Sequence, residues 1–295
     1  MSQLVDKRLL VAPAAHAAPA PRPARTYDVR VERESWHDAA RNRDVPVTMY
    51  APAGIERAPV VVFSHGIGED RDSYEYLGRA LAARGYLAVH VTHAGTDKAT
   101  LRRGYLALYR ATKEKENWVN RPLDVRFVLD QLRGRPGADL DRVAAAGHSA
   151  GAFTALALAG MKAAGGEDLS DPRVKMAVAL SMPKMEGVVP PGGYDAIRIP
   201  VLHMTGTCDA SLIYRTFPRD RRVPFQSTHA TQQYLVTLKG VNHDTFSNRE
   251  DPRHAQIAEI VAAFLDAFLR GDRDARAWLD EGGLSAQSGV AVERK

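Results

Sequence analysis

The chain has 295 residues, of which 45% are hydrophobic and 25% are charged, a composition typical of a soluble globular protein that can bury a large core. The net charge of +5 comes from basic residues spread along the whole chain. No aromatic-interleaved basic patch accompanies them, so a nucleic-acid partner is not expected. The single cysteine, Cys208, excludes an intramolecular disulfide, and no apolar run approaches the ~20 residues of a membrane span.

The first 25 residues are rich in alanine and proline and predict a disordered leader. Their longest apolar run, from Leu9 to Ala12, stops at Pro13 and is shorter than the roughly 7–15 apolar residues of a secretory signal. We therefore expect a cytoplasmic protein. Export is the alternative if this weak N-terminal segment is processed.

Strand-like and helix-like segments alternate after the leader. Segments 27–36 and 44–52 show the period-two pattern of strands and are expected to form an antiparallel pair. Segment 58–66 is a short apolar run, typical of a strand buried on both faces. The other predicted strands are 86–95, 141–149, 174–183, 199–207 and 232–240, and the predicted helices are 70–85, 120–134, 150–164 and 254–271.

This alternation predicts an α/β fold, with a doubly wound, mostly parallel sheet and helices on both faces. Because the chain shows no internal repeat and no change of composition, we expect a single domain at 26–272, followed by a polar tail at 273–295. Three segments, 96–118, 184–198 and 211–225, lack a strong pattern. Such loops after strands commonly form pocket walls or lids.

The motif Gly147-His148-Ser149-Ala150-Gly151 lies where the predicted strand 141–149 meets the following helix. A serine on a sharp strand-to-helix turn needs small residues two positions before and after it, and the two glycines meet this need. The helix N-terminus adds unpaired N–H groups where negative charge would develop. The motif alone also fits an ordinary small-residue turn, but its position predicts that Ser149 is a nucleophile. His148 is expected to have a packing role.

A serine hydroxyl is a poor nucleophile at neutral pH, so a base and an orienting acid must lie elsewhere. His243 follows the last predicted strand and Asp209 follows strand 199–207, both at the sheet edge where reactive groups gather. Asp244 is the rival acid, but its adjacency to His243 makes the correct side of the ring hard to reach. The chain order Ser149, Asp209, His243 is that of α/β-hydrolases and differs from the orders of chymotrypsin and subtilisin.

Segment 63–68, Phe-Ser-His-Gly-Ile-Gly, ends a predicted strand with a glycine-containing turn. We expect its backbone N–H groups to lie beside the serine. The predicted donors of an oxyanion hole are the amides of Ile67 and Ala150. The alternative is that His65-Gly66 only terminates the strand.

With these motifs the chain resembles the α/β-hydrolase superfamily, and more narrowly its bacterial dienelactone-hydrolase-like and platelet-activating-factor-acetylhydrolase-like branch. The resemblance covers about residues 44–270 and rests on segments 61–68, 121–132, 147–160, 201–209 and 240–247. It implies the nucleophile Ser149, the acid Asp209, the base His243 and the oxyanion donors Ile67 and Ala150. Dienelactone hydrolases proper use a cysteine nucleophile. Here Cys208 lies outside the nucleophile motif. We expect its side chain to be partly buried.

The sequence thus predicts a serine hydrolase that cleaves a small-molecule carboxylic ester through an acyl-enzyme on Ser149, without a cofactor. An amide, peptide or lactone hydrolase with the same triad is the alternative. A non-catalytic small-molecule-binding protein of this fold is the alternative from a different class. A metal at His90 and His93, near Asp97, is not expected, because the two histidines would point to opposite faces of a strand. The oligomeric state and the physiological substrate are not set by the sequence.

Overall fold

The computed structural model describes residues 20–21, 25–163, 165–185, 187–211, 215–247 and 250–295. Most of the predicted leader at 1–25 therefore lies outside the described residues. Of its described part, Ala20 is buried, and the carbonyl of Pro21 accepts a hydrogen bond from Arg84 at 2.7 Å.

A nine-stranded sheet forms the centre of the described chain. In chain order its strands are β1 Val29–Asp38, β2 Arg43–Pro52, β3 Arg57–Ser64, β4 Leu87–Val91, β5 Gly137–His148, β6 Val174–Leu180, β7 Val201–Cys208, β8 Gln233–Asn242 and β9 Val290–Arg294. Their spatial order is β1-β2-β4-β3-β5-β6-β7-β8-β9. β2 runs antiparallel to both its neighbours and β9 runs antiparallel to β8, while the other pairs are parallel. The predicted antiparallel pair and mostly parallel sheet are confirmed.

Strand β3 shows why both faces of the sheet are covered. Val61 and Phe63 pack into one hydrophobic core, and Val60 and Val62 pack into another, because successive side chains of a strand point to opposite faces. All four side chains are nearly inaccessible to solvent. A strand of this kind needs helices above and below it.

The α-helices of the described chain supply this cover. They are α1 Glu75–Ala83, α2 Lys98–Arg102, α3 Tyr105–Ala111, α4 Lys115–Gln131, α5 Ala150–Leu158, α6 Val223–Ser227, α7 His254–Leu265 and α8 Arg273–Asp280. Residues of α1, α7 and α8 pack in the core that contains Val61, and residues of α4 pack in the core that contains Val60. The predicted helices on both faces are therefore confirmed. None of the helices in the described ranges has the length and apolar character needed to span a membrane.

Segment 96–118 is mostly helical, although its sequence lacks a clear pattern. It contains α2, α3 and the first turn of α4. The side chain of Asp97 caps α2 by accepting the N–H of Thr100 at 2.9 Å. Tyr105 and Tyr109 of α3 are largely exposed, so the apolar residues of this helix do not form the buried stripe that would predict it.

The C-terminal segment 273–295 differs from the predicted polar tail. Helix α8 packs Ala275, Trp278 and Leu279 into the core, and β9 pairs with the edge of β8. The helix carries charged residues on its other positions, so its short apolar face is hidden in a polar sequence. The domain therefore extends past the predicted boundary at residue 272.

We expect Trp278→Ala to lower the free energy of unfolding by about 3–5 kcal/mol, because it removes a buried aromatic side chain and leaves a cavity. Urea titration followed by circular dichroism measures the change. Arg273→Ala, at an exposed position of the same helix, is the matched control and should stay within about 0.5 kcal/mol of the parent. Equal stability of the two variants would mean that α8 does not belong to the folded core.

Candidate active site

The turn between β5 and α5 holds Ser149 in a strained backbone conformation, with φ 55° and ψ −115°. Its N–H donates to the carbonyl of Leu180 at 2.9 Å. The glycines on either side are required for space. A Cβ on Gly151 would stand 1.8 Å from the carbonyl oxygen of Ser64, and a Cβ on Gly147 would stand 2.3 Å from the backbone of Gly151. The turn therefore closes only with these glycines, and it presents Ser149 at the carboxyl end of β5.

The three residues predicted as nucleophile, acid and base lie in one chain of contacts. Ser149 Oγ is 3.1 Å from His243 Nε2, and His243 Nδ1 is 3.1 Å from Asp209 Oδ1. Asp209 directly follows β7, and His243 directly follows β8. Because β5, β7 and β8 run in the same direction, their carboxyl ends share one edge of the sheet. His243 Nδ1 therefore contacts Asp209, the residue that the sequence favoured over Asp244 as the orienting acid.

Three further side chains surround the carboxylate of Asp209. Ser181 Oγ lies 2.9 Å from Asp209 Oδ1 and 2.7 Å from His243 Nδ1. The hydroxyl of Thr205 donates to Asp209 Oδ2 at 2.8 Å. Arg221 Nε lies 3.2 Å from Asp209 Oδ1. Ser181 and Arg221 lie outside the motifs of the sequence, and Thr205 lies in segment 201–209 without a predicted role. Arg221 is buried, although it lies beside Arg222 in a basic part of the sequence.

The electrostatics of this cluster keep the acid ionised. Burial alone would raise the pKa of Asp209, but the hydrogen bond with His243 and the charge of Arg221 outweigh it and lower the pKa to about 2. Arg221 also donates to the carbonyl of Ser181 at 3.3 Å. The buried arginine thus neutralises the carboxylate and fixes the chain that carries Ser181.

His148 lies against the ring of His243. Its ring centroid is 4.7 Å from that of His243 and 5.6 Å from that of Phe246, and its Nδ1 is 2.7 Å from the hydroxyl of Tyr74. Burial lowers the pKa of His148 well below its usual range, and the charge of His243 lowers it further. His148 therefore packs as a neutral ring, in agreement with the expected packing role.

The loop after β3 is held by hydrogen bonds on both sides of Ile67. The carbonyl of His65 accepts a hydrogen bond from the buried Arg121. The N–H of Gly66 donates to the carboxylate of Glu69 at 2.9 Å, and the N–H of Gly68 donates to the carbonyl of Thr96 at 2.8 Å. The loop is therefore fixed at the residues that flank Ile67.

The amides of Ile67 and Ala150 differ from these neighbours. In the described part of the chain, the structure records no protein acceptor for either N–H group. Ala150 is the first residue of α5, where the backbone N–H has no partner within the helix. Ile67 and Ala150 also belong to one packed cluster of side chains. Both N–H groups are thus free of a recorded protein acceptor, and that of Ala150 directly follows Ser149 in the chain.

Glu69 is a titratable group close to this loop that sequence analysis did not identify. Its carboxylate accepts the hydroxyl of Tyr74 and the N–H of Gly66. Burial raises the pKa of Glu69 to about 7, against an ordinary value of 4.5, in spite of these two hydrogen bonds. A change of protonation near neutral pH therefore takes place next to the Ile67 loop.

The histidines weighed as metal ligands bond to other groups. His90 Nδ1 lies 3.1 Å from the carbonyl of Ser73. His93 lies 3.0 Å from Asp124 through Nδ1 and 3.0 Å from Ser64 through Nε2. Within the described ranges, no group of three or more His, Cys, Asp or Glu side chains could hold a metal ion.

Cys208 is exposed, so the expectation of a partly buried side chain is wrong. The pairing of β7 with β8 shifts register between Gly206 and Cys208. At Gly206 the two strands approach so closely that a Cβ would stand 2.0 Å from the carbonyl oxygen of Val241. At this irregularity the side chain of Cys208 faces solvent, and the side chain of the next residue, Asp209, faces the interior.

A cavity of about 690 Å³ opens beside the Ile67 loop. Apart from Ile67, its lining residues come from the three segments in which the sequence shows no strong pattern, 96–118, 184–198 and 211–225. Residues 212–214 of the last segment lie outside the described residues. The expectation that these segments form a lid stays a prediction, whereas their place around one cavity is observed.

The comparison with protein families identifies the class of protein. The model of the alpha/beta hydrolase family matches residues 61–293, and the chain belongs to this family. A ferulic acid esterase from Streptomyces cinnamoneus has a similar solved structure, with a TM-score of 0.65 and 21% sequence identity over 87% of this chain and 94% of the esterase chain. At this identity the likeness concerns the fold. No curated protein matches the sequence.

We expect Glu69→Gln to change how stability depends on pH. Because the pKa of Glu69 is raised in the folded state to about 7, its contribution to stability is fully present below about 4.5 and is lost as the pH rises through 7. The neutral glutamine avoids this loss. The free energy of unfolding of the variant relative to the parent should therefore rise by about 2–3 kcal/mol between pH 4.5 and pH 8.

Urea unfolding at a series of pH values measures this difference. Glu56→Gln, which alters an exposed carboxylate, is the control and should show a flat difference over the same range. A flat difference for Glu69→Gln as well would contradict the raised pKa.

Proposed function

We propose that the protein is a serine hydrolase that cleaves carboxylic esters through an acyl-enzyme on Ser149. The observation that carries the proposal is the continuous contact from Ser149 Oγ to His243 Nε2 and from His243 Nδ1 to Asp209, each at 3.1 Å. Membership of the alpha/beta hydrolase family and the fold shared with an esterase support it.

In the proposed reaction, Ser149 Oγ attacks the ester carbonyl carbon while His243 Nε2 takes the hydroxyl proton. Asp209 accepts the Nδ1–H of His243 and stabilises the imidazolium that forms. His243 then gives the proton to the leaving alcohol, and the acyl group remains on Ser149. Water attacks this acyl-enzyme with His243 as the base, which releases the carboxylic acid and restores the serine.

The amides of Ile67 and Ala150 form the oxyanion hole of the proposal. They would stabilise the negative oxygen of the tetrahedral intermediate, and each such donor is typically worth about 3 kcal/mol of the barrier. Two observations support this role: the flanking residues of Ile67 are fixed by hydrogen bonds, and Ala150 begins α5. The positive end of the α5 dipole favours the same charge.

The ionised state of Asp209 supports its assignment as the orienting acid. A carboxylate with a pKa of about 2 remains charged when His243 becomes an imidazolium, so the proton stays on the histidine. Arg221 and Ser181 have a positioning role here, because they hold the carboxylate facing Nδ1. The assignment to the dienelactone-hydrolase-like and platelet-activating-factor-acetylhydrolase-like branch rests on the sequence motifs alone and is part of the same proposal.

A fluorophosphonate probe tests the nucleophile. We expect it to label the parent protein and to leave Ser149→Ala unlabelled. Ser73→Ala is the matched control, because Ser73 is also a buried serine but lies outside the contacts of Asp209 and His243 described above. It should still be labelled, and mass spectrometry should place the adduct on Ser149. Labelling that persists in Ser149→Ala would refute the assignment.

Hydrolysis of p-nitrophenyl esters tests the base. We expect His243→Ala to lower kcat by roughly 10⁴-fold or more, since the proton of Ser149 then has no acceptor. His229→Ala, at an exposed position, should keep the activity of the parent. A screen of graded acyl lengths that includes lactones and amides distinguishes the ester from the alternative substrates. Near-parental activity of His243→Ala is the result that the proposal cannot accommodate.

A further inference from the structure

We propose that the cavity beside Ile67 binds the acyl part of an ester that ends in an anionic group such as a carboxylate. The inference rests on the proposed function and adds the substrate class. It is drawn from the position of the cavity, from its apolar walls and from the charges at its rim.

The position of the cavity links it to the reacting atoms. Ile67, whose amide is the proposed oxyanion donor, is one of the lining residues. Ile67 packs in the same cluster as Ala150, and Trp118 and Met185 of the cavity wall belong to that cluster too. In the proposal, an acyl chain whose carbonyl oxygen binds the two amides extends past Ile67 into the cavity.

The inner wall of the cavity suits an apolar chain. Trp118, Met185 and Leu108 line it and are nearly buried. Farther out, Tyr105 and Tyr109 line it while 82% and 53% exposed. These two tyrosines are among the few large hydrophobic residues that the described chain leaves exposed. Exposed apolar side chains gathered at one concave site are typical of ligand binding.

The charges around the cavity favour an anion. Lys113, Lys184 and Arg215 line it, against one carboxylate, Asp220. The carboxylate of Asp220 accepts the N–H of Phe217 at 2.8 Å. Among the described residues, the structure records no carboxylate within ion-pair distance of Lys113 or Arg215. The lining therefore carries an excess of positive charge at the side that faces solvent.

Thr216, the neighbour of Arg215, is held by backbone hydrogen bonds close to the acid of the proposed triad. Thr216 pairs with Ser211 through two backbone hydrogen bonds of 2.9 and 3.0 Å, and Ser211 lies two residues after Asp209. Arg215 itself has a φ of 50°, in the left-handed region that few non-glycine residues adopt. The backbone of Arg215 therefore lies close in the fold to Ser211, two residues after Asp209.

Matched esters test the proposal: p-nitrophenyl hexanoate and mono-p-nitrophenyl adipate have the same chain length and differ in the terminal carboxylate. With uncatalysed hydrolysis subtracted, we expect kcat/KM for the adipate to exceed that for the hexanoate by about tenfold at low salt. The preference should shrink at 0.5 M NaCl, because the cations are near solvent. Since the carboxylate is bound away from the reacting atoms, the difference should lie mainly in KM.

The double variant Lys113→Gln with Arg215→Gln should lower the ratio of the two kcat/KM values about tenfold. Arg110→Gln, an exposed cation of α3 outside the cavity lining, is the matched control and should keep the parental ratio. Thermal melting confirms that the variants fold. Hydrolysis of the hexanoate at least as fast as the adipate, or an unchanged ratio in the double variant, would overturn the anion site and leave the serine hydrolase intact. Failure of both esters, together with no labelling of Ser149, would instead refute the proposed function.

Discussion

The close backbone contact between the start of α5 and the end of β3 is the constraint on which the site depends. At Gly151 a single added carbon would overlap the carbonyl oxygen of Ser64, at 1.8 Å. This contact places the first amides of α5 next to the loop that carries Ile67. Ser149 lies in the same turn with a positive φ, and its hydroxyl oxygen lies 3.1 Å from His243 Nε2. One steric requirement thus arranges the proposed nucleophile and the proposed oxyanion donors together.

Two buried arginines stabilise the loops around this contact. Arg121 donates to the carbonyl of His65 and to the hydroxyls of Thr96 and Thr154. Arg221 lies against Asp209 and the carbonyl of Ser181. Moving a guanidinium from water into the protein interior has an unfavourable free energy of desolvation. Hydrogen bonds and a nearby opposite charge offset it. Both arginines are nearly inaccessible and both bind backbone carbonyls of residues beside the site. They fix the geometry of loops that have no regular secondary structure.

The sequence predicts the parts of this protein whose requirements are local. The glycines of the turn and the buried strands follow from short-range sterics and periodicity. Asp209 and His243 were proposed from their positions after predicted strands and from the chain order of α/β-hydrolases, and the structure places them in contact with Ser149. Arg221 could not be found in this way, because its role depends on burial by segments distant in the chain. Helix α8 was missed because Trp278 and Leu279 make its apolar face too short to stand out. The exposure of Cys208 depends on a register shift between two strands, which no pattern in one strand encodes.

Strand β9 has a consequence for how the sheet ends. The open edge of β8 is covered by β9, so the two free edges of the described sheet belong to β1 and β9. Both of these strands carry charged residues along their length, Arg30 and Arg33 in one and Glu293 and Arg294 in the other. Charges on an edge strand oppose pairing with the strand of another molecule, because desolvating them is unfavourable. Segment 273–295, which the sequence predicts to be a polar tail, therefore supplies a charged edge strand that opposes edge-to-edge aggregation of the sheet.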